Sequence, residues 1–141
     1  MPNDELHYKL LCQELMADIA WALDRNAADE AADLFAEDGV LVTAEGDLTG
    51  QAVRAALRKR SPDITTHHIV TNMSVRPIDA NNAEARAYVI VYRAPTKPDT
   101  LPRPMPSSPG GAGLWLMRFR KTPKGWRISR METVPRLAPA A

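Results

Sequence analysis

The sequence has little cysteine, almost no net charge and no long hydrophobic run. Cys12 is the single cysteine, so an internal disulfide is impossible. The formal net charge of +1 gives no overall field to attract nucleic acid or a membrane surface. No apolar run approaches the roughly 20 residues of a membrane span, and the acidic, polar start is unlike a signal peptide. We therefore expect a cytoplasmic protein that binds neither nucleic acid nor membranes.

Motifs for bound groups are also missing. His7, His67 and His68 have no carboxylate or cysteine partners at ligand spacing, and neighbouring histidines in a strand point to opposite faces. The sequence has no glycine-rich phosphate loop and no nucleophile elbow. We expect neither a metal site nor a cofactor.

The first half of the chain has helical periodicity. Leu11, Leu15, Ile19 and Leu23 recur every four residues, which predicts a helix ending near Asp24. Asn26 is suited to cap a second, shorter helix. The predicted elements are helices over 4–24, 27–35 and 51–60, a short strand over 40–43 and a turn over 45–47. The third helix carries a basic cluster, interpreted as a solvated face in preference to a phosphate site: Arg54, Arg58, Lys59 and Arg60.

The second half alternates between β-rich runs and turns, which predicts an antiparallel meander. The expected strands cover 65–75, 83–94, 113–122 and 126–134. Residues 95–113 hold six of the twelve prolines and three glycines, so this stretch is neither a helix nor a central strand. A lid, a linker to a partner subunit and disorder all remain open for it. We expect one domain over 1–141, with an ordered core over 4–134 and a loosely held tail over 135–141.

The adjacent histidines mark the candidate site. In a strand His68, Val70 and Asn72 share one face, and His67 shares the other with Ile69, so one imidazole faces the interior. With an unperturbed pKa of about 6.5, an interior histidine can transfer protons near neutral pH. The alternative is a histidine that is satisfied by a hydrogen bond and has no chemical role.

The same alternation makes predictions for other strands. It places Arg130 on the interior face with Trp126 and Ile128, where the arginine would need a carboxylate or an anionic ligand. It also leaves apolar side chains on the outer face of the sheet, which predicts a homo-oligomer: Ile69, Met73, Val89 and Val91.

Helices followed by a sheet predict an α+β fold, a cone-shaped α+β barrel with N-terminal helices packed in a strongly curved, mainly antiparallel sheet. The open end of such a cone is a natural pocket. The chain resembles the SnoaL-like group of the nuclear-transport-factor-2-like superfamily from about Leu11 to Val134. The motifs are 22–25 (ALDR), 33–40 (DLFAEDGV), Leu48-Thr49-Gly50 with Val53, 66–72 (THHIVTN), 113–115 (GLW) and 125–130 (GWRISR).

The resemblance implies site residues. Dehydratase and dehydrochlorinase relatives pair an aspartate at the end of the first helix with a histidine on the first long strand, and Asp24 and His68 match these positions. Arg130 matches an arginine that faces the cavity in several relatives. No carbonyl-polarising tyrosine is identified. The candidate catalytic residues are Asp24, His68 and Arg130, and the candidate substrate-binding residues are Tyr8, Val70, Asn72, Tyr88, Trp115, Met117, Phe119 and Ile128.

Two functions follow as expectations. The first is a cofactor-independent lyase, dehydratase-like, or isomerase that acts on a small hydrophobic, cyclic molecule through an Asp-His general-base dyad in a buried pocket. The second is a non-catalytic binding module, or an assembly subunit resembling the β subunit of ring-hydroxylating dioxygenases. In either case the resemblance favours a homotrimer over a dimer.

Overall fold

The computed structural model describes residues 2–140, with side chains from residue 4 onward. The last residue of the predicted tail therefore lies outside the described residues. The elements in chain order are α1 (Pro2–Asp24), α2 (Ala28–Asp33), β1 (Phe35–Thr43), β2 (Gly46–Thr49), α3 (Gln51–Arg58), β3 (Ile64–Asp79), β4 (Asn82–Pro95), β5 (Gly111–Thr122) and β6 (Gly125–Leu137).

The strands form one six-stranded curved sheet in the order β2-β1-β6-β5-β4-β3. Strands β3 to β6 are paired antiparallel in sequence order, so the predicted meander is confirmed. Strand β1 pairs antiparallel with β2 and parallel with β6. The α+β class with N-terminal helices and a mainly antiparallel sheet is therefore confirmed. Because β2 and β3 are the two edges, the sheet does not close on itself.

Helix α1 packs mainly against β3 and also contacts β6. Its apolar stripe and the inward side chains of the sheet form one core, whose largest fully buried members are Trp115, Phe119, Met16, Ile19, Met117, Ile128 and Cys12. Burial raises the pKa of the Cys12 thiol to about 12, which suits a core residue without a reactive role. None of the described helices combines the length and the apolar character needed to cross a bilayer.

Three boundaries differ from the sequence prediction. Asn26 does not cap α2: it adopts φ +54, a left-handed conformation that asparagine tolerates, and so ends α1. Helix α2 ends at Asp33, and β1 already begins at Phe35. A register shift in β1 before Val40 accommodates the extra length. Gly39 is required there, because a Cβ would lie 2.9 Å from two backbone oxygens.

The ends of the sheet strands also extend further than predicted. Residues 46 and 47, expected in a turn, begin strand β2, which pairs with β1. The final strand β6 runs to Leu137, so the first three residues of the predicted tail belong to the sheet. These extensions are edge or terminal pairings, where side-chain pattern is weak and backbone hydrogen bonds decide the boundary.

The irregular proline-rich segment covers residues 96–110 and is held by hydrogen bonds at both ends. Thr96 donates its backbone N–H to the Asp63 carbonyl at 2.8 Å and its hydroxyl to the Pro62 carbonyl at 2.8 Å. Gly110 donates its N–H to the Val91 carbonyl at 2.7 Å. Between these anchors, Leu101 and Met105 are strongly exposed. The segment lies at the edge of the sheet where β3 begins and β4 ends, which we call the site edge.

Candidate active site

Asp24 and His68 meet where the C-terminal end of α1 packs against β3. The Asp24 Oδ1 atom lies 2.6 Å from His68 Nδ1, and Asp24 Oδ2 accepts a hydrogen bond from the His68 backbone N–H at 2.9 Å. Thr66 donates its hydroxyl to Asp24 Oδ1 at 2.9 Å. The side chains are mostly buried, with 9% of His68 and 17% of Asp24 exposed. The carboxylate therefore connects the helix end to the strand through three hydrogen bonds.

These contacts determine the protonation of the pair. Burial raises the pKa of Asp24, but the hydrogen bonds from the His68 ring, the His68 backbone and Thr66, together with the His68 charge, outweigh it and leave that pKa below its ordinary value. Asp24 is thus ionised near neutral pH, and a carboxylate can only accept hydrogen bonds. The proton between the two residues must then lie on His68 Nδ1. In the neutral ring this leaves Nε2 as an acceptor, the form needed in a general base.

Apolar side chains lie next to the His68 imidazole. The Trp115 ring lies 5.8 Å from the His68 ring, centroid to centroid, at an angle of 39°. Val91 is directly opposite His68 across the β3–β4 pair, and Val70 shares its face. The predicted inward orientation of His68 is thus observed, and His67 is exposed on the other face. Of the predicted substrate-binding residues, Trp115 and Val70 lie on the dyad's side of the sheet.

The structure contradicts the interior placement of Arg130. The β5–β6 register shifts between Phe119–Ile128 and Arg118–Arg130, so the alternation of faces breaks after Ile128. Met131 takes the inward position, and Arg130 lies opposite the exposed Arg118 on the outer face. Its guanidinium contacts Asp47 on β2 at 3.3 Å. A β-bulge adds one residue to one strand and so reverses every assignment beyond it.

Asn72 and Tyr88 are also wrongly placed by the sequence prediction. Asn72 sits at a register shift between Thr71 and Ser74 with φ +55 and is exposed, bonded by the Thr71 hydroxyl at 3.1 Å. Tyr88 points outward with 54% of its surface exposed. In β4 the inward positions are the odd-numbered ones, so tyrosine 88 is on the solvent face.

The same alternation of inward and outward positions changes which residues form the outer face of the sheet. Val89 is buried in the core, and Met73 and Val91 pack against it, so these three residues do not face outward. The exposed apolar residues of that face are Ile69, Tyr88 and Leu116. The prediction is therefore wrong for three of its four residues, and only Ile69 is exposed on that face as predicted.

Four further candidates belong to the core or to the far end of the helix. Met117, Phe119 and Ile128 are fully buried beneath α1, where helix side chains cover them. Tyr8 precedes Asp24 by sixteen residues in the same helix, which corresponds to about 24 Å along its axis. Its ring stacks on Trp126, and its buried hydroxyl has no partner among the described residues.

The expected open pocket beside the dyad is not among the cavities described. The largest, of about 980 Å³, lies between α2, α3 and the β5–β6 turn and is lined by residues such as Phe35, Arg54 and Arg127. Asp24 and His68 line neither this cavity nor the three smaller ones. The Trp115 ring lies beside the imidazole on the interior side of the sheet.

Sequence reasoning missed three residues at the site. Thr66 is buried and bonds Asp24, and Arg60 reaches the Thr66 hydroxyl with Nη2 at 3.4 Å. Arg93 lies directly opposite Thr66 across the β3–β4 pair. A signal for Arg60 was present: Val53 and Leu57 are buried, and spacings of four and three residues put position 60 on the same helix face. By contrast, Arg54 and Arg58 pair with carboxylates of α2.

Among the side chains that the structure describes, no group of three histidines, cysteines or carboxylates could hold a metal ion. The chemistry available at this site is therefore that of a carboxylate-supported imidazole, a tryptophan wall and two nearby guanidinium groups.

Comparison with known proteins identifies the family and the fold. A SnoaL-like domain matches residues 4–132. A candidate scytalone dehydratase from Novosphingobium aromaticivorans is 23% identical with a TM-score of 0.81, covering 97% of this chain and 89% of that one. A hexachlorocyclohexane dehydrochlorinase (LinA, type 2) is 14% identical with a TM-score of 0.75, covering 100% and 98%. A candidate aromatic ring hydroxylase from N. aromaticivorans is 24% identical with a TM-score of 0.71, covering 93% and 94%.

No curated protein matches the chain significantly in sequence. At identities this low the structural likenesses establish the fold, which is shared with a protein described as NTF2-like. The match of the SnoaL-like domain over nearly the whole chain establishes the family, so the predicted resemblance is confirmed. This chain belongs to the SnoaL-like domain family and has the nuclear-transport-factor-2-like fold.

Proposed function

We propose that the protein is a cofactor-independent lyase or isomerase, dehydratase-like in its chemistry, with His68 as general base. The observation that carries this proposal is the 2.6 Å contact between His68 Nδ1 and Asp24 Oδ1. It holds the ring in one orientation and one tautomer, with Nε2 as the basic atom. Such pre-orientation is what general-base catalysis requires of a histidine.

The proposed reaction is an elimination or a proton shift. His68 Nε2 takes a proton from a carbon next to an electron-withdrawing group, and the electron pair of the broken C–H bond forms a double bond. In a dehydration the hydroxyl group leaves with its own bonding pair and takes a proton from the imidazolium to form water. Asp24 stabilises the imidazolium between these steps. General-base catalysis of this kind contributes typically about 10²–10⁴-fold to a rate.

A small, mainly apolar, cyclic substrate fits the surroundings of the base. Trp115 offers a flat ring beside the imidazole, and Val70 and Val91 add aliphatic surface. Aromatic and aliphatic walls with few polar groups suit such ligands. The names of two structural neighbours, a dehydratase and a dehydrochlorinase, both denote eliminations, which supports this class of reaction.

The test measures elimination by the purified protein from 3-hydroxycyclohexanone, followed by the absorbance of the enone, and from hexachlorocyclohexane, followed by chloride release. His68→Gln and Asp24→Asn should each lower turnover at least about 100-fold. His67→Gln is the matched control, because His67 is the exposed neighbour on the opposite face. Equal turnover in His68→Gln and in the unaltered protein would remove His68 from the reaction.

A second candidate is the non-catalytic binding or assembly module. The observation in its favour is that Asp24 and His68 line none of the four cavities described, while Trp115 packs against the imidazole. In that case the Asp24–His68 contact fastens α1 to β3. Asp24→Asn and His68→Gln would then lower the melting temperature and leave ligand or partner binding unchanged.

A further inference from the structure

Arg60 lies beside the dyad and forms no ion pair with any carboxylate that the structure describes. It lies two residues beyond the C-terminal end of α3, and its Nη2 atom reaches the Thr66 hydroxyl on β3 at 3.4 Å. Its Nε–H is buried and has no hydrogen-bond partner among the described residues, and its Nη2 atom makes only the long contact to Thr66. Arg60 as a whole is half-buried, and a buried donor of a guanidinium is normally satisfied by a carboxylate or by an anionic ligand.

Arg93 supplies a second positive charge at the same edge of the sheet. It lies directly opposite Thr66, and opposed residues of an antiparallel pair project to the same face. Its side chain extends over Gly110, where an added Cβ would lie 2.7 Å from Arg93 Nη1. Burial is the main cause that lowers the pKa of Arg60, Asp24 opposes this effect, and the charge of Arg93 adds to it. Arg93 is exposed, and its positive charge acts on Arg60 from the same edge of the sheet.

The balance of charge at this place indicates what can bind. The two arginines contribute two positive charges, and the ionised Asp24 contributes one negative charge that His68 and Thr66 already engage. The remaining single positive charge matches a monoanion and is smaller than the charge of a phosphate dianion. Guanidinium groups bind planar carboxylates through paired, charge-assisted hydrogen bonds.

We propose that Arg60 and Arg93 bind a carboxylate group of the substrate, so that the molecule processed by the dyad is a cyclic carboxylic acid in its ionised form. This inference rests on the proposed function in that it calls the bound molecule a substrate. Binding of an anion by the two arginines does not itself require turnover. The carboxylate binds at the site edge, and the ring lies toward His68 and Trp115. The arginines are then specificity-determining residues, and Asp24 and His68 keep the chemical role.

Binding of isosteric probes tests the inference. Benzoate and benzamide have nearly the same shape and differ in charge, and their binding can be followed by the indole N–H resonance of Trp115 in nuclear magnetic resonance titrations. Benzoate should bind at least about tenfold more tightly than benzamide. Arg60→Gln and Arg93→Gln should each remove most of this preference and leave benzamide binding unchanged, which also controls for folding.

Lys59→Gln is the matched control, because it removes one positive charge from the exposed neighbour of Arg60. It should leave the benzoate preference intact, whereas a general effect of charge would lower it as much as Arg60→Gln does. Inorganic phosphate at equal ionic strength should displace benzoate poorly. Tighter binding of phosphate than of benzoate, or equal binding of benzoate and benzamide, would overturn the carboxylate assignment.

The proposed function and this inference fail in different ways. His68→Gln should abolish elimination and keep the benzoate preference, since the preference depends on the arginines. If elimination from neutral substrates depends on His68 while benzoate and benzamide bind equally, the lyase is supported and the anion site is ruled out. If benzoate binds through Arg60 and Arg93 while neither the neutral substrates nor a hydroxycyclohexanone that carries a ring carboxylate reacts, the anion site is supported and the lyase is ruled out.

Discussion

Arg118 and Arg130 lie side by side on the outer face of the sheet, paired across β5 and β6 just beyond a β-bulge. The bulge keeps Ile128 and Met131 in the core although they are three residues apart in one strand. Two like charges opposite each other on adjacent strands repel weakly, and Asp47 compensates one of them. Arg130 thus lies on the outer face of the sheet, opposite to the face that carries the dyad.

Replacing Arg130 by leucine should therefore leave turnover within about twofold of the unaltered protein, and the free energy of unfolding within about 0.5 kcal/mol, the usual range for exposed sites. Steady-state kinetics on the elimination substrates and urea denaturation check both values. A tenfold loss of turnover would show that Arg130 reaches the substrate after all.

Acid should weaken the contribution of Asp24 to stability. The folded chain holds the pKa of Asp24 below its ordinary value, against the effect of burial, through hydrogen bonds from His68 and Thr66. The unfolded carboxylate takes up a proton near pH 3.9 and the folded one only at lower pH, so the unfolded state binds more protons in that interval and stability falls as pH is lowered. The contribution is fully present above about pH 5.

Urea denaturation of the unaltered protein and of Asp24→Asn between pH 3 and pH 7 measures this contribution. The difference in unfolding free energy should shrink as the pH is lowered below about pH 4. Other carboxylates with lowered pKa values, such as Asp29 beside Arg54, are the same in both proteins and cancel. A difference that grows as the pH falls from about pH 4 to about pH 3 would contradict the assignment.

Buried and exposed isoleucines should differ strongly in their effect on stability. Ile128 is fully buried, and Ile128→Ala should cost about 2–5 kcal/mol through lost burial and a residual cavity. Ile78 lies near the end of β3 with half of its surface exposed, and Ile78→Ala should cost less than about 1 kcal/mol. Urea denaturation of both variants compares them directly, and equal costs would place Ile128 outside the core.

The homo-oligomer stays a prediction, with the trimer favoured over the dimer. The outer face exposes Ile69, Tyr88 and Leu116, and exposed apolar side chains on the face of a sheet favour an interface. Tyr88→Glu should convert the oligomer to a monomer by light scattering at micromolar concentration. Leu101→Glu, in the exposed proline-rich segment, is the control and should not change the mass. A monomer in the unaltered protein would overturn the prediction.

The order of elements was predictable because each element carries its own periodicity. The position of His68 was predictable for the same reason, since β3 pairs regularly from Ile64 to Thr71. Arg130 and Asn72 were misplaced because each lies at or beyond a register shift. A bulge is decided by twist and by packing across strands, and nothing in a run of alternating residues marks it.

The site was only partly accessible to sequence reasoning. Asp24 could be placed through the resemblance, although its hydrogen bond to the His68 backbone spans 44 residues of chain. The sequence prediction assigned Arg60 to the solvated face together with its basic neighbours. That assignment followed the cluster of positive charges and did not use the spacing of Arg60 from the buried Val53 and Leu57. The tertiary contact with β3 decides its role, and the proximity of Arg93 depends on the β3–β4 register.

The proline-rich segment between β4 and β5 is anchored at Thr96 and Gly110, and Leu101 and Met105 in its middle are strongly exposed. Its length can therefore change without disturbing the strands, since doubling a flexible loop costs only about 0.6 kcal/mol in closure entropy. Because the segment stands at the site edge, such changes alter what approaches the dyad while Asp24 and His68 stay in place. The part of the chain whose length can vary, 97–109, is thus separate from the helix end and the strand that hold Asp24 and His68.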